Sequence, residues 1–136
     1  MAEPTTELGH RAAAELLELP DRPTALVAFN DKMAIGALRA AAERGLRVPG
    51  DLSVAGFDDI DLGQACRPML TTVRQPLAEM GRMAVHLLLR MLGGHRIDAL
   101  HVELGTELVV RDSTGPVPDV FHGSGTGSRR SGAGSH

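Results

Sequence analysis

Between Gly45 and Asp59 the chain reads Gly45-Leu46-Arg47-Val48-Pro49-Gly50-Asp51-Leu52-Ser53-Val54-Ala55-Gly56-Phe57-Asp58-Asp59, and few folds accommodate that order. Gly45 can take the positive φ that closes a helix after the run ending at Arg44, and Pro49-Gly50 turns the chain without starting another helix. Leu52 to Gly56 is short and evenly apolar, without strict polar alternation. It reads as a strand buried on both faces, as in a parallel sheet. The apolar run stops at Asp58 and Asp59, and in an open parallel sheet the crevice beyond the carboxyl ends of the strands is where ligands bind.

A second run of the same kind, Thr24 to Phe29, ends in Asn30 and Asp31. Either side chain could cap the helix that follows, and a cap at a strand's carboxyl end also lies near any ligand. That helix spans Asp31 to Arg44. At 3.6 residues per turn, Ala34, Ala37, Leu38 and Ala41 form its core stripe, widened by Met33 on one flank and by Ile35 with Ala42 on the other. The surplus at Ile35 and Ala42 fits either a further element of the same chain or a partner subunit.

Strand, helix and strand make one βαβ unit, whose right-handed crossover brings both carboxyl ends to one edge. Asn30, Asp31, Phe57, Asp58 and Asp59 are therefore expected at one rim. An amide and carboxylates beside an aromatic ring suit a ligand rich in hydroxyls or amines.

On either side of this unit the pattern continues. Leu8, Ala12, Leu16 and Leu19, with Ala13 and Leu17 beside them, predict a helix over Thr6 to Leu19, capped by Thr5 or Thr6 and ended by Pro20-Asp21-Arg22-Pro23. Thr71 to Arg74 is strand-like, and Pro76 can start the next helix. That helix, Leu77 to Leu92, confines Glu79, Arg82, His86 and Arg90 to a narrow polar face and is apolar elsewhere, so it belongs inside something larger. Gly93-Gly94 stops it, and Glu107 to Arg111 is one more short strand. From Gly115 the Gly, Ser and Pro content predicts a disordered tail over 115–136.

The 136 residues suffice for one ordinary domain with a real core. A formal net charge of −3 gives no electrostatic case for nucleic-acid binding by the chain itself. The single Cys66 cannot form an internal disulfide, no export signal opens the chain, and no apolar run approaches the roughly 20 residues that span a bilayer. A cytoplasmic protein with no membrane partner is expected.

Catalytic and metal constellations fare poorly. Asp58, Asp59 and Asp61 lack the looped ligand set of a calcium site, and the six His show no zinc-ligand spacing. Cys66 has no local signature of an activating base, Ser53 lies mid-strand instead of on a nucleophile elbow, and there is no phosphate loop. The expectation is no enzyme, no metal and no cofactor.

From Thr6 to Thr114 the chain closely resembles the carboxy-terminal part of the effector-binding region of LacI/GalR-type bacterial transcriptional regulators. The resemblance rests on Arg22-Pro23-Thr24-Ala25, on Asn30-Asp31 with Met33-Ala34-Ile35-Gly36, and on the whole Gly45 to Asp59 block. It continues in Pro68, Leu70-Thr71-Thr72-Val73-Arg74-Gln75-Pro76, Gly81-Arg82, Glu107-Leu108-Val109-Val110-Arg111 and Ser113-Thr114. The order and spacing of these blocks together are highly specific.

The resemblance implies an α/β fold with a parallel sheet flanked by helices, a partial type I periplasmic-binding-protein-like fold that is mostly one lobe. Residues 6–75 and 104–114 would form the carboxy-terminal lobe, and 76–103 an element of the other. The implied ligand is a small effector, sugar- or nucleoside-like, held between lobes. Asn30 and Asp58 match effector-contacting positions, with Phe57 beside them, and Gln75 lies at the crossover between lobes. The helix bearing Ile35, Leu38 and Ala42 matches the one used at the subunit interface of a homodimer. Operator DNA would be a partner only of a full-length form with a helix-turn-helix headpiece, which this sequence does not contain; it is expected to be a fragment. Two other readings are a solute-binding protein of a sugar transport system, which would need secretion, and a small flavodoxin-like α/β module, catalytic versions of which would need a constellation absent here.

Overall fold

The computed structural model describes residues 3–94 and 101–118. The first helix, α1, is Thr6–Leu17, and the Thr5 hydroxyl accepts a hydrogen bond from the Leu8 amide at its start. Strand β1 is Ala25–Val27, helix α2 is Asp31–Glu43, and strand β2 is Ser53–Ala55. A short helix α3, Asp61–Ala65, leads to strand β3, Thr72–Arg74. Helix α4, Leu77–Leu92, and strand β4, Glu107–Val109, complete the order.

The end of α2 follows from its sequence. Gly45 has φ 66°, its amide donates to the Ala42 carbonyl, and the Leu46 amide reaches back to the Ala41 carbonyl. This paired closure requires a left-handed residue after the last helical turn, which glycine supplies without strain. The chain can then turn at residues 47–51 and enter β2 alongside β1, in parallel register with Ala25 opposite Ser53 and Val27 opposite Ala55.

The parallel run continues from β2 to β3 through a bridge between Ala55 and Thr71 and two backbone bonds, Gly56 N to Thr71 O and Asp58 N to Val73 O. Strand β4 then pairs antiparallel to β3, Thr72 opposite Val109. The fold is thus the expected α/β arrangement with an antiparallel last strand. The chain is drawn back across β2 by Ser113, whose carbonyl accepts from the Val54 amide and whose hydroxyl donates to the Val54 carbonyl at 2.6 Å while accepting from the Thr71 amide at 2.8 Å.

The core is small and built on alanine: Ala34, Ala40 and Ala41 of α2 are fully buried against Leu52, Val54 and Leu70. All four stripe residues expected on α2 face inward. Helix α1 packs directly on α2, at a separation permitted by two glycines. A β-carbon at Gly9 would collide with the Met33 backbone, and one at Gly36 with the Thr6 carbonyl oxygen.

Two expectations are corrected here. The buried stripe of α1 is Gly9, Ala13 and Leu17, while Leu16 and Leu19 are exposed, because the glycine contact rotates the helix onto its smallest face. Strand β1 is not buried on both faces: Val27 is 84% exposed, and Phe29, two residues beyond the strand, 78%. Both helices pack against each other, and no described element covers that face.

Helix α4 has the expected length, and none of its residues is buried; Leu77, Val85, Leu88, Leu89 and Leu92 are all more than half exposed. Of the expected tail, Gly115 is hydrogen-bonded to Ser53 and the chain is described to residue 118, while 119–136 lies outside the described residues. No described helix is long and apolar enough to cross a membrane.

Candidate functional site at the strand-end rim

The carboxyl ends of β1 and β2 converge as the crossover predicts. Asn30, in extended conformation, caps α2: its Oδ1 accepts from the Met33 amide at 3.0 Å. That leaves its amide nitrogen to donate outward. The next residue, Asp31, is fully buried and joins the two strand ends. Its backbone amide donates to the Phe57 carbonyl at 2.8 Å, its Oδ1 accepts from the Thr72 hydroxyl at 2.5 Å, and its Oδ2 accepts from the Ile60 amide at 2.9 Å. Asp31 is therefore a clip beneath the rim, with both oxygens engaged, and not a surface ligand group.

Beyond Phe57, which is half-buried, two successive non-glycine residues adopt positive φ, Asp58 at 110° and Asp59 at 55°. Conformations of this kind cost energy and survive where surrounding contacts impose them. Here the contacts are specific. The Asp58 amide bonds the Val73 carbonyl, and its Oδ1 accepts from Gln75 Nε2 at 2.7 Å. The other oxygen, Oδ2, has no hydrogen bond among the described residues.

Asp59 turns the opposite way. Its side chain is 5% exposed, with Oδ1 paired to Arg111 Nη2 and Oδ2 accepting from Arg74 Nε at 2.6 Å. Burial alone would raise its pKa, but hydrogen bonds from Arg111 and then Arg74 outweigh it and hold the carboxyl below the usual range. Arg111 also donates to the Leu70 carbonyl, and Arg74 to Glu107. A carboxylate neutralised by two guanidinium groups is a poor metal ligand, and Asp61 is exposed beyond it.

Of the expected effector residues, the structure thus brings Asn30, Phe57, Asp58 and Gln75 to one edge. Asp31 and Asp59, expected at the same edge, serve the scaffold. Thr72 and Arg111 complete that scaffold, and their local sequence carries no mark of it. Arg111 lies 52 residues from the carboxylate it binds, so no local signal pointed to the pair. The nominated interface residues divide: Leu38 is buried in the chain's own core, Ile35 packs partly against it, and Ala42 is exposed.

Other candidates find structural roles. Cys66 is half-buried with its thiol directed to the Gly63 and Pro68 carbonyls, and burial pushes its pKa up, away from thiolate chemistry. Ser53 bonds Gly115. An apolar hollow of about 140 Å³ lies between α1 and β1, lined by Leu16, Leu26, Phe29 and Met33 among others, and carries no polar side chain to orient a ligand.

The model of the periplasmic binding protein-like domain matches residues 1–114. Over 114 residues the chain is 46% identical to the HTH-type transcriptional repressor CytR of Escherichia coli K12, covering 84% of this chain and 33% of that protein. It is 47% identical over 107 residues to a lactose operon repressor from Rhizobium radiobacter, 79% of this chain and 94% of that one. Among solved structures, a LacI-family regulatory protein from Chloroflexus aggregans superposes with a TM-score of 0.77 at 43% identity, covering 84% of this chain and 41% of the other. A LacI-family regulator from Arthrobacter sp. FB24, crystallised in complex with lactose, gives 0.75 at 40% identity, covering 84% and 43%. The chain spans about a third of the length of the Escherichia coli relative.

Proposed function

The chain belongs to the periplasmic binding protein-like domain family as it occurs in LacI-type transcriptional regulators, and on that premise we propose that it is the effector-binding lobe of such a regulator. The observation that carries the reading is the hydrogen bond between Gln75 and Asp58 beside the Asn30 cap. It presents one amide donor and one carboxylate oxygen, both positioned by the scaffold, to a ligand above the strand ends. Such a pair suits vicinal hydroxyls of a sugar or nucleoside. The relatives are regulators, and the rim offers hydrogen bonds without a nucleophile or an activated base, so the proposed activity is binding and not catalysis.

The lobe would work with a partner lobe that closes over the effector, with α4 as the element that reaches toward it. Dimerisation would use the flank of α2 at Ile35 and Ala42, with Leu38 supporting it from within. Operator DNA would be bound by a headpiece in a full-length form, and the setting would be the cytoplasm, where such regulators meet DNA.

The test is a chimera in which this chain replaces the corresponding third of the Escherichia coli relative. Calorimetry with lactose, glucose and ribonucleosides should give saturable binding of at least one, weakened tenfold or more by Asp58→Ala. Unchanged affinity in that variant for every ligand that binds would remove Asp58 from the site.

A further inference from the structure

At the opposite ends of the strands, where β1 and β2 begin, the chain encloses a hollow of about 440 Å³ lined by Arg22, Arg47, Asp51 and residues 116–118. Arg22 precedes β1, Arg47 and Asp51 precede β2, and the last segment is held against them by the two hydrogen bonds between Ser53 and Gly115. The rim with Asn30 and Asp58 lies at the other end of the same strands.

The two arginines are in different states. Arg47 is fully engaged with Asp51 through a fork of Nε to Oδ2 at 2.8 Å and Nη2 to Oδ1 at 2.7 Å, and its backbone amide also donates to Oδ2. These bonds, with a further contribution from the Arg22 charge, hold the Asp51 carboxyl well below the usual range. Arg22 has no such partner. Its Nη1 is buried without an acceptor, and no carboxylate lies within ion-pair reach of it among the described residues. Two guanidinium groups thus face one carboxylate, leaving one positive charge in excess.

A buried N–H of a charged group without an acceptor is costly, and native structures rarely keep one. A guanidinium offers its donors in a plane that matches the paired oxygens of a carboxylate or phosphate. We propose that this hollow is a second ligand site, separate from the rim, in which Arg22 binds the oxyanion of a small carboxylate- or phosphate-bearing molecule. Two sources share that chemistry: a free small anion, to which the proposal commits, and the side chain of Asp119, which follows Pro118 in the sequence.

The experiment titrates the full chain with inorganic phosphate, and separately with acetate, by calorimetry at constant ionic strength set with sodium chloride. The expected result is saturable binding of at least one anion that Arg22→Gln weakens at least tenfold with an unchanged far-UV spectrum. Arg22→Lys keeps the charge without the planar fork and should weaken binding less than Arg22→Gln does; it also serves alone if the glutamine variant does not fold. Absence of binding to the full chain, or equal affinity in the Arg22 variants, would overturn the site. Binding that appears only in Asp119→Asn would overturn the free-anion source, because the chain's own carboxylate would then be the occupant.

Discussion

Gln75 donates a 2.7 Å hydrogen bond to Asp58 across 17 residues of sequence, and each residue continues a different strand. Asp58 follows β2 and sits at φ 110°, while Gln75 follows β3 directly and is separated from α4 by Pro76. The bond therefore couples a strained strand end to the segment that joins β3 to α4. A ligand accepted by the free oxygen of Asp58 would act on both.

Affinity and stability should separate at Asp58. Glycine relieves the positive φ, so Asp58→Gly should leave the unfolding free energy within about 1 kcal/mol of the parent. The same change removes a charged hydrogen-bond acceptor worth roughly 1.5–3 kcal/mol, or about tenfold or more in effector affinity. Denaturant titration of the chain and calorimetry of the chimera measure the two quantities. Parallel losses in both would make Asp58 a structural residue.

Asp31 should behave in the opposite way. Asp31→Ala leaves the Thr72 hydroxyl and the Ile60 amide without their acceptor in a buried setting, which should destabilise the chain by about 2 kcal/mol or more. Urea unfolding followed by circular dichroism gives the number, and a loss below about 0.5 kcal/mol would contradict the clip.

The glycines of two helices make a matched pair. Gly36→Ala drives a β-carbon into the Thr6 carbonyl and the His10 amide, both backbone, and should cost roughly 1–3 kcal/mol or more. Gly81→Ala on α4 meets nothing and replaces the weaker helix former, so it should raise the helical signal with no loss in Tm.

Part of the pH dependence follows from Asp59. Its folded pKa is depressed by Arg111 and Arg74, so the unfolded chain takes up a proton at higher pH than the folded one. The resulting stabilisation is complete above the unfolded pKa, at about pH 5 and higher, and is lost as pH falls through the folded value. Asp59→Asn should flatten the acid limb of a stability profile below about pH 5. An unchanged slope there would assign acid sensitivity to other carboxylates.

Helix α4 should drive self-association. Leu77, Leu88, Leu89 and Leu92 are exposed, Leu88 at 55%, and burying one is worth roughly 1.5–3 kcal/mol. Analytical ultracentrifugation should find a dimer or larger species, and Leu88→Glu should shift it toward monomer with the β1–α2–β2 unit intact. A compact monomer at high concentration in the parent chain would show that α4 folds onto its own lobe.

How far the sequence reached depended on the range of the forces involved. Helix α2 was legible almost residue by residue, since its cap at Asn30, its stripe and its Gly45 stop are all local. The face of α1 was not, because Leu16 and Leu19 look like core residues until the close approach at Gly9 and Gly36 turns them outward. Helix α3 went unread: five residues carry no periodicity, and its start has no side-chain cap. At the site, the strand-end pattern placed Asn30 and Asp58 at the carboxyl ends of neighbouring strands, and β1 and β2 do pair in parallel. That pattern could not tell Asp58 from Asp59, since the distinction is made by Arg74 of β3 and by Arg111, which follows β4.

Ser113 closes the lobe on Val54 from 59 residues away and on Thr71 from 42 residues away. Synthesis proceeds from the amino terminus at roughly 5–20 residues per second, so a nascent chain waits about 3–12 s between making Val54 and making the residue that caps it. During that interval the edge of β2 lies open, joined by the Thr71 amide for the last 42 residues of it, while α1, α2 and β1 are already available to pack. The lobe is therefore a knot tied last, and a chain released before Ser113 would leave the ribosome with its central strand unsealed.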